Sequence, residues 1–82
     1  MKISREEFKD FMMTHIHITN KALRAAEFID ATFIQNIVIS PVFWFADSLG
    51  IQSRILFPTI YAGKIEELDN LYDNLPKESK IE

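Results

Sequence analysis

The sequence predicts an all-α fold, a small compact bundle of three to four helices with an irregular 51–63 segment. Three observations carry this reading. Ser4 and Glu7 form a capping box, apolar residues recur every three or four positions through much of the chain, and a Ser-Pro start and a glycine stop bracket residues 41–49. The expected helices are 5–15, 20–39, 41–49 and 64–75.

Helix 5–15 opens on the Ser4 cap, with Ile3 placed to pack on Phe8 across it. Phe8, Phe11, Met12 and Ile16 keep to one face, whereas Glu6, Lys9 and Asp10 point elsewhere. The next residues, Thr14 to Asn20, alternate polar and β-branched side chains, which lowers helix propensity and predicts a break. Asn20 then caps a second helix, 20–39, whose stripe is Ala22, Ala26, Ile29, Phe33 and Ile37. Between Ile34 and Ile39 the apolar residues leave that stripe. Burial all round, a partner-covered surface and extended chain all fit this pattern.

Ser40-Pro41 reads as a new helix start, because proline in the first turn forfeits no hydrogen bond. Gly50 supplies the left-handed residue that ends it. Val42, Phe45, Ala46 and Leu49 form its inward face and leave Phe43 and Trp44 on the flanks, either as extra core or as partner anchors. Pro58 interrupts residues 51–63, since proline in a helix interior costs about 3 kcal/mol or more. A short helix or an extended piece followed by a turn is expected there. The last helix, 64–75, lies between Gly63 and Pro76, has Glu66 and Glu67 in its first turn, and carries Ile65, Leu68, Tyr72 and Leu75 at seam-like spacing. The polar tail from Lys77 to Glu82 reads as frayed.

Length and composition bound the function. Eighty-two residues make one domain, 1–82, with 48% hydrophobic and 26% charged residues, the profile of a chain that packs. A core this thin invites completion by a partner or a second copy. Without cysteine, disulfides and thiolate metal sites are excluded, and the chain reads as cytoplasmic. Net charge is −3, partitioned +2 over residues 1–24, −1 over 25–64 and −4 over 65–82, which disfavours general polyanion binding. The basic front and acidic tail are expected mainly as solvated surface charge, with pairing inside the fold or between copies as the alternatives. Neither an export signal nor a stretch of membrane-spanning length appears, so membrane association is disfavoured.

Catalytic and metal chemistry find little support. His15 and His17 point about 200° apart on a helix and share a face only in extended chain. No serine lies in a glycine-flanked elbow, and Gly50 and Gly63 form no phosphate-cradling loop. No catalytic, cofactor-binding or metal-binding residues are therefore assigned, and no small-molecule substrate is expected.

One motif points to a different class. Phe45-Ala46-Asp47-Ser48-Leu49-Gly50-Ile51 resembles the first helix and turn of the helix-turn-helix family of DNA-binding proteins. The resemblance implies that Ala46 packs between the helices, Gly50 makes the turn, Ile51 opens the next segment and Leu56 follows in the core, over residues 43–60. Against it, Pro58 falls inside the recognition helix, and Arg54 is that helix's sole cation for phosphate or guanine contact. The expected function is instead a non-enzymatic protein-protein interaction module, a small acidic regulator, inhibitor or adaptor. Its partner is another protein or a second copy, and its anchors are Phe43, Trp44 and Tyr72.

Overall fold

The computed structural model describes residues 1–25 and 30–81. Among these residues the fold is all-α, as the sequence predicts. The helices are α1 (Arg5–Arg24), α2 (Ala31–Ile34), α3 (Ser40–Ser48), α4 (Ser53–Ala62) and α5 (Leu68–Asp73). A π-helical turn, Gln35–Ile39, joins α2 to α3, and short 3₁₀ turns cover Ile65–Glu67 and Lys77–Ser79.

The capping box forms as read. Ser4 Oγ accepts from the Glu7 N–H at 3.2 Å, and Glu7 Oε1 accepts from the Ser4 N–H at 3.1 Å. The expected break at Thr14–Asn20 does not occur, and α1 runs unbroken to Arg24. His15, Ile16 and Thr19 are buried on its inner side, and this packing outweighs a propensity deficit of tenths of a kcal/mol per residue. Asn20 is therefore no cap. The cap beyond α1 is Asp30, whose Oδ1 accepts from the Phe33 N–H at 2.8 Å. Ala26 and Ile29 of the expected stripe lie outside the described residues, while Phe33 and Ile37 are exposed rather than inward.

Ser40 and Pro41 do not begin a separate helix. Ser40 itself is helical (φ −61°, ψ −44°), and its N–H donates to the Gln35 carbonyl, five residues back. Pro41 has no N–H to offer Ile37, and its ring would crowd that carbonyl in a regular α-turn. The widened turn just before it lets one helical run continue from Ala31 to Ser48. Residues 51–63, expected to be irregular, contain a ten-residue helix, α4. Pro58 lies inside α4 and is tolerated because it is exposed and the loss is a single bond, to the carbonyl of Arg54. Gly63 (φ +66°) ends α4 and Gly50 (φ +72°) sits in the turn after α3, both in the left-handed conformation that suits glycine.

The core joins α1, α3, α4 and α5. Phe8, Met12 and Ile16 of α1 meet Val42, Phe45 and Ala46 of α3, Leu56 and Ile60 of α4, and Leu68 and Tyr72 of α5. Ile3, Leu49 and Leu75 close its ends, and each large buried side chain contributes about 1.5–3 kcal/mol. Phe11 stacks on Phe45 with ring centroids 3.6 Å apart, and Phe8 lies against both Phe45 and Tyr72. The tail is docked rather than frayed: Ile3 pairs with Lys80 in a parallel bridge, and Ser79 Oγ donates to the Leu49 carbonyl at 2.7 Å.

The basic front and the acidic tail meet within the fold through Arg5, Lys9, Asp69 and Asp73, whose carboxylates stay largely exposed to solvent. Arg5 Nη1 meets Asp69 Oδ1 at 3.0 Å, Arg5 Nη2 meets Asp73 Oδ1 at 2.6 Å, and Lys9 Nζ meets Asp69 Oδ2 at 3.2 Å. The Arg5 guanidinium also lies over the Tyr72 ring, 4.8 Å from its centroid. Together these contacts hold α5 against α1.

Candidate functional site

The inward face of α3 is the one read from the sequence, since Val42, Phe45, Ala46 and Leu49 are all buried. With about 100° between successive residues of a helix, Phe43 and Trp44 must then fall outside that face. They do: Phe43 is 54% exposed and Trp44 78% exposed. Tyr72, expected as a third anchor, is not at the surface. Its ring is fully buried against Phe8, and its hydroxyl donates to the Ile3 carbonyl at 2.7 Å. Spacing alone shows that Tyr72 shares a stripe with Leu68 and Leu75, and that stripe is spent on the chain's own core. Of the seam-like set only Ile65 remains exposed.

The turn after α3 sets α4 alongside it and brings in two rings not singled out from the sequence. Phe57 takes the edge of Phe43 at 6.2 Å between centroids, and Tyr61 stacks on Phe57 at 5.7 Å. A row of rings therefore runs from Phe43 across α4, with Tyr61 exposed at its far end. Once residues 53–62 are helical, Phe57 and Tyr61 are four apart and share a face. The Pro58 signal concealed that helix.

Beside Trp44 lies an open groove of about 480 Å³ lined by Gln35, Ser40, Phe43, Trp44, Asp47 and Ser48. Ser48 Oγ donates to the Trp44 carbonyl at 2.8 Å, which ties up that hydroxyl within the helix. Residues 31–46 contain no Asp, Glu, Lys or Arg, so the outer side of this helical run is uncharged until Asp47, with Thr32, Gln35 and Asn36 as its exposed polar residues. Phe33 and Ile37 extend the exposed apolar surface along it.

Other candidate chemistry is scattered. His15 is buried, stacks on Phe11 at 4.1 Å and bonds through Nδ1 to the Phe11 carbonyl at 3.1 Å, while His17 is exposed elsewhere on α1. Among the described residues no group of three or more His, Asp or Glu is placed to hold a metal ion. No helix of these residues is long and apolar enough to cross a membrane. In the α3–turn–α4 unit, Ala46 and Leu56 are buried and Gly50 lies in the turn. The exposed side of α4, however, offers Arg54 beside Ile55, Pro58 and Tyr61. No protein family, curated protein or solved structure matches the chain.

Proposed function

We propose that the protein is a non-catalytic protein-interaction module of the cytoplasm, a small acidic regulator, inhibitor or adaptor that works by covering part of a partner protein. The observation that carries this reading is the paired exposure of Phe43 and Trp44 on a helix whose opposite face is already packed. Large rings left in water cost solvation free energy that a monomer recovers by turning them inward. Contiguous exposed apolar surface with aromatic anchors is the usual mark of a binding face. Tyr72 is not part of that face, and Phe57 and Tyr61 take its place.

The test is a double substitution, Phe43→Ser with Trp44→Ser, combined with a photo-crosslinking residue placed at position 37 in the host cell. The variant should keep its circular dichroism and urea midpoint and lose the protein adduct that the otherwise unchanged chain forms. Loss of the fold would assign both rings to the core. A second reading, DNA binding through α3 and α4, is favoured by the two-helix outline. It requires a salt-dependent mobility shift that weakens on Arg54→Ala. A shift indifferent to both salt and Arg54 would remove it.

A further inference from the structure

We propose that the groove beside Trp44 receives an arginine side chain of the partner protein, with the guanidinium stacked on the indole and its N–H groups on the Asp47 carboxylate. This rests on the interaction-module reading and names the chemistry its partner must present.

The charge distribution leads to it. Asp47 stands three residues beyond Trp44 and four beyond Phe43 on α3, so all three side chains share one side of the helix. Asp47 is exposed, and its carboxylate makes no hydrogen bond or ion pair among the described residues. No Lys, Arg or His occurs between Arg24 and Arg54, so neither α2 nor α3 supplies a cation to it. The Trp44 ring likewise has no ring or cation against it among the described residues, although Phe43 is fixed by Phe57 and Arg5 is committed over Tyr72.

Helix polarity acts in the same direction. Asp47 lies in the last turn of α3, where the aligned peptide dipoles concentrate negative potential and a carboxylate is poorly placed unless a cation joins it. The ammonium of Met1 does not meet that need, since it donates to the Ser48 carbonyl at 3.1 Å and forms no ion pair with Asp47 among the described residues. The groove lining also includes the Gln35 amide and the Ser40 hydroxyl, both able to accept further N–H groups. An open aromatic face, an unpaired carboxylate and neutral acceptors match the flat, forked guanidinium better than a compact ammonium. A second copy docked through this same face would bring Asp47 no cation from residues 25–53, since that stretch holds no Lys, Arg or His.

Trp44 is the one tryptophan of the chain, so its fluorescence reports on the groove directly. The full-length protein is titrated with a short capped peptide of leucine and serine around one arginine, and with the same peptide carrying citrulline, its uncharged counterpart. The arginine peptide should give a saturable change. Affinity should fall about fivefold for the citrulline peptide and for Asp47→Asn, and about tenfold for Asp47→Lys, which replaces attraction with repulsion. Equal affinity for the two peptides, undiminished binding to both Asp47 variants, or no binding up to about 5 mM would overturn the proposal. So would a dimer by native mass in which Trp44 is shielded from acrylamide. A protein adduct at position 37 that persists while the peptide fails leaves the interaction module standing and removes the arginine. Absence of any adduct removes the module itself.

Discussion

The phenolic oxygen of Tyr72 donates a 2.7 Å hydrogen bond to the carbonyl oxygen of Ile3, so a residue near the C-terminal end holds the entry to the first helix. That carbonyl also accepts from the Ile81 N–H at 3.2 Å, and the Ile3 N–H donates to the Ser79 carbonyl at 2.9 Å. The two ends of the chain therefore close on one another over the ring. Tyr72→Phe should lower stability by about 1 kcal/mol, because the Ile3 carbonyl keeps one partner and the ring still fills its place. Tyr72→Ala should cost about 3–5 kcal/mol through the cavity it leaves. Urea denaturation checks both. A Tyr72→Ala chain as stable as the original would return Tyr72 to the list of surface anchors.

Asp69 gives the fold a pH dependence of known sign. The hydrogen bond from Arg5, then that from Lys9, holds its carboxyl below the ordinary carboxylate range. A depressed native value means that the unfolded chain binds the proton more readily. The contribution is therefore present above the ordinary range and lost as pH falls from there through the depressed native value. The Glu7 carboxyl is held down as well, first by the Ser4 backbone N–H and then by the Ser4 hydroxyl, and acts in the same window. Urea midpoints measured from about pH 6 to about pH 3 should fall more steeply for the original chain than for Asp69→Asn. Parallel curves would show that the Arg5–Asp69 pair adds nothing to docking of α5.

Gly50 and Gly63 separate backbone strain from crowding. A Cβ on Gly50 meets nothing within 4 Å, and one on Gly63 meets Asn20 Nδ2 and Ile16 Cγ2 at an ordinary 3.9 Å. Space is available at both, so the cost of alanine is the left-handed φ alone, about 1–2 kcal/mol at each position. Thermal melts of the two single variants should agree within a few tenths of a kcal/mol. A much larger loss at Gly63 would mean that α1 and the end of α4 pack more tightly than these distances state.

How far the sequence disclosed the fold depends on the range of the force involved. The Ser4–Glu7 box and the inward face of α3 arise from neighbours within a turn or two, and both could be read directly. The continuity of α1 through Thr14–Asn20 could not, because it depends on burial of Ile16 and Thr19 against helices far along the chain. The flanking positions of Phe43 and Trp44 follow once Val42, Phe45 and Ala46 are assigned inward, whereas the choice between extra core and exposed ring is made only by the fold. The burial of Tyr72 was not legible, since periodicity shows that a helix has an apolar stripe and not which surface the stripe meets. Asp47 reads in the sequence as an ordinary surface charge, and that no side chain or terminal amine pairs with it shows only in the fold.

Pro58 offers a gain. Its exposed position in α4 leaves the Arg54 carbonyl without its helical donor and places a ring against that turn. Pro58→Ala should restore the bond and raise stability by about 1 kcal/mol, a net value because the freer unfolded chain offsets part of the benefit. A higher urea midpoint with an unchanged slope checks this. A lower midpoint would show that the proline ring itself supports the neighbouring groove formed with Thr59, Lys64 and Glu67.

Thr19 offers another, of different origin. Its side chain is buried at 1% exposure on the inner face of α1, and its hydroxyl has no hydrogen-bond partner among the described residues. A buried hydroxyl without a partner has lost its water and gained nothing in return, a deficit of about 1–3 kcal/mol. Valine has the same branching and almost the same volume, so Thr19→Val removes the deficit while leaving helix geometry and packing unchanged. Stability should rise by about 1 kcal/mol, and Thr19→Ser, which keeps the hydroxyl and deletes a methyl group, should lower it by a similar amount. If valine destabilises the chain instead, the hydroxyl has a partner in solution, and a buried water at the inner side of α1 becomes the object to find.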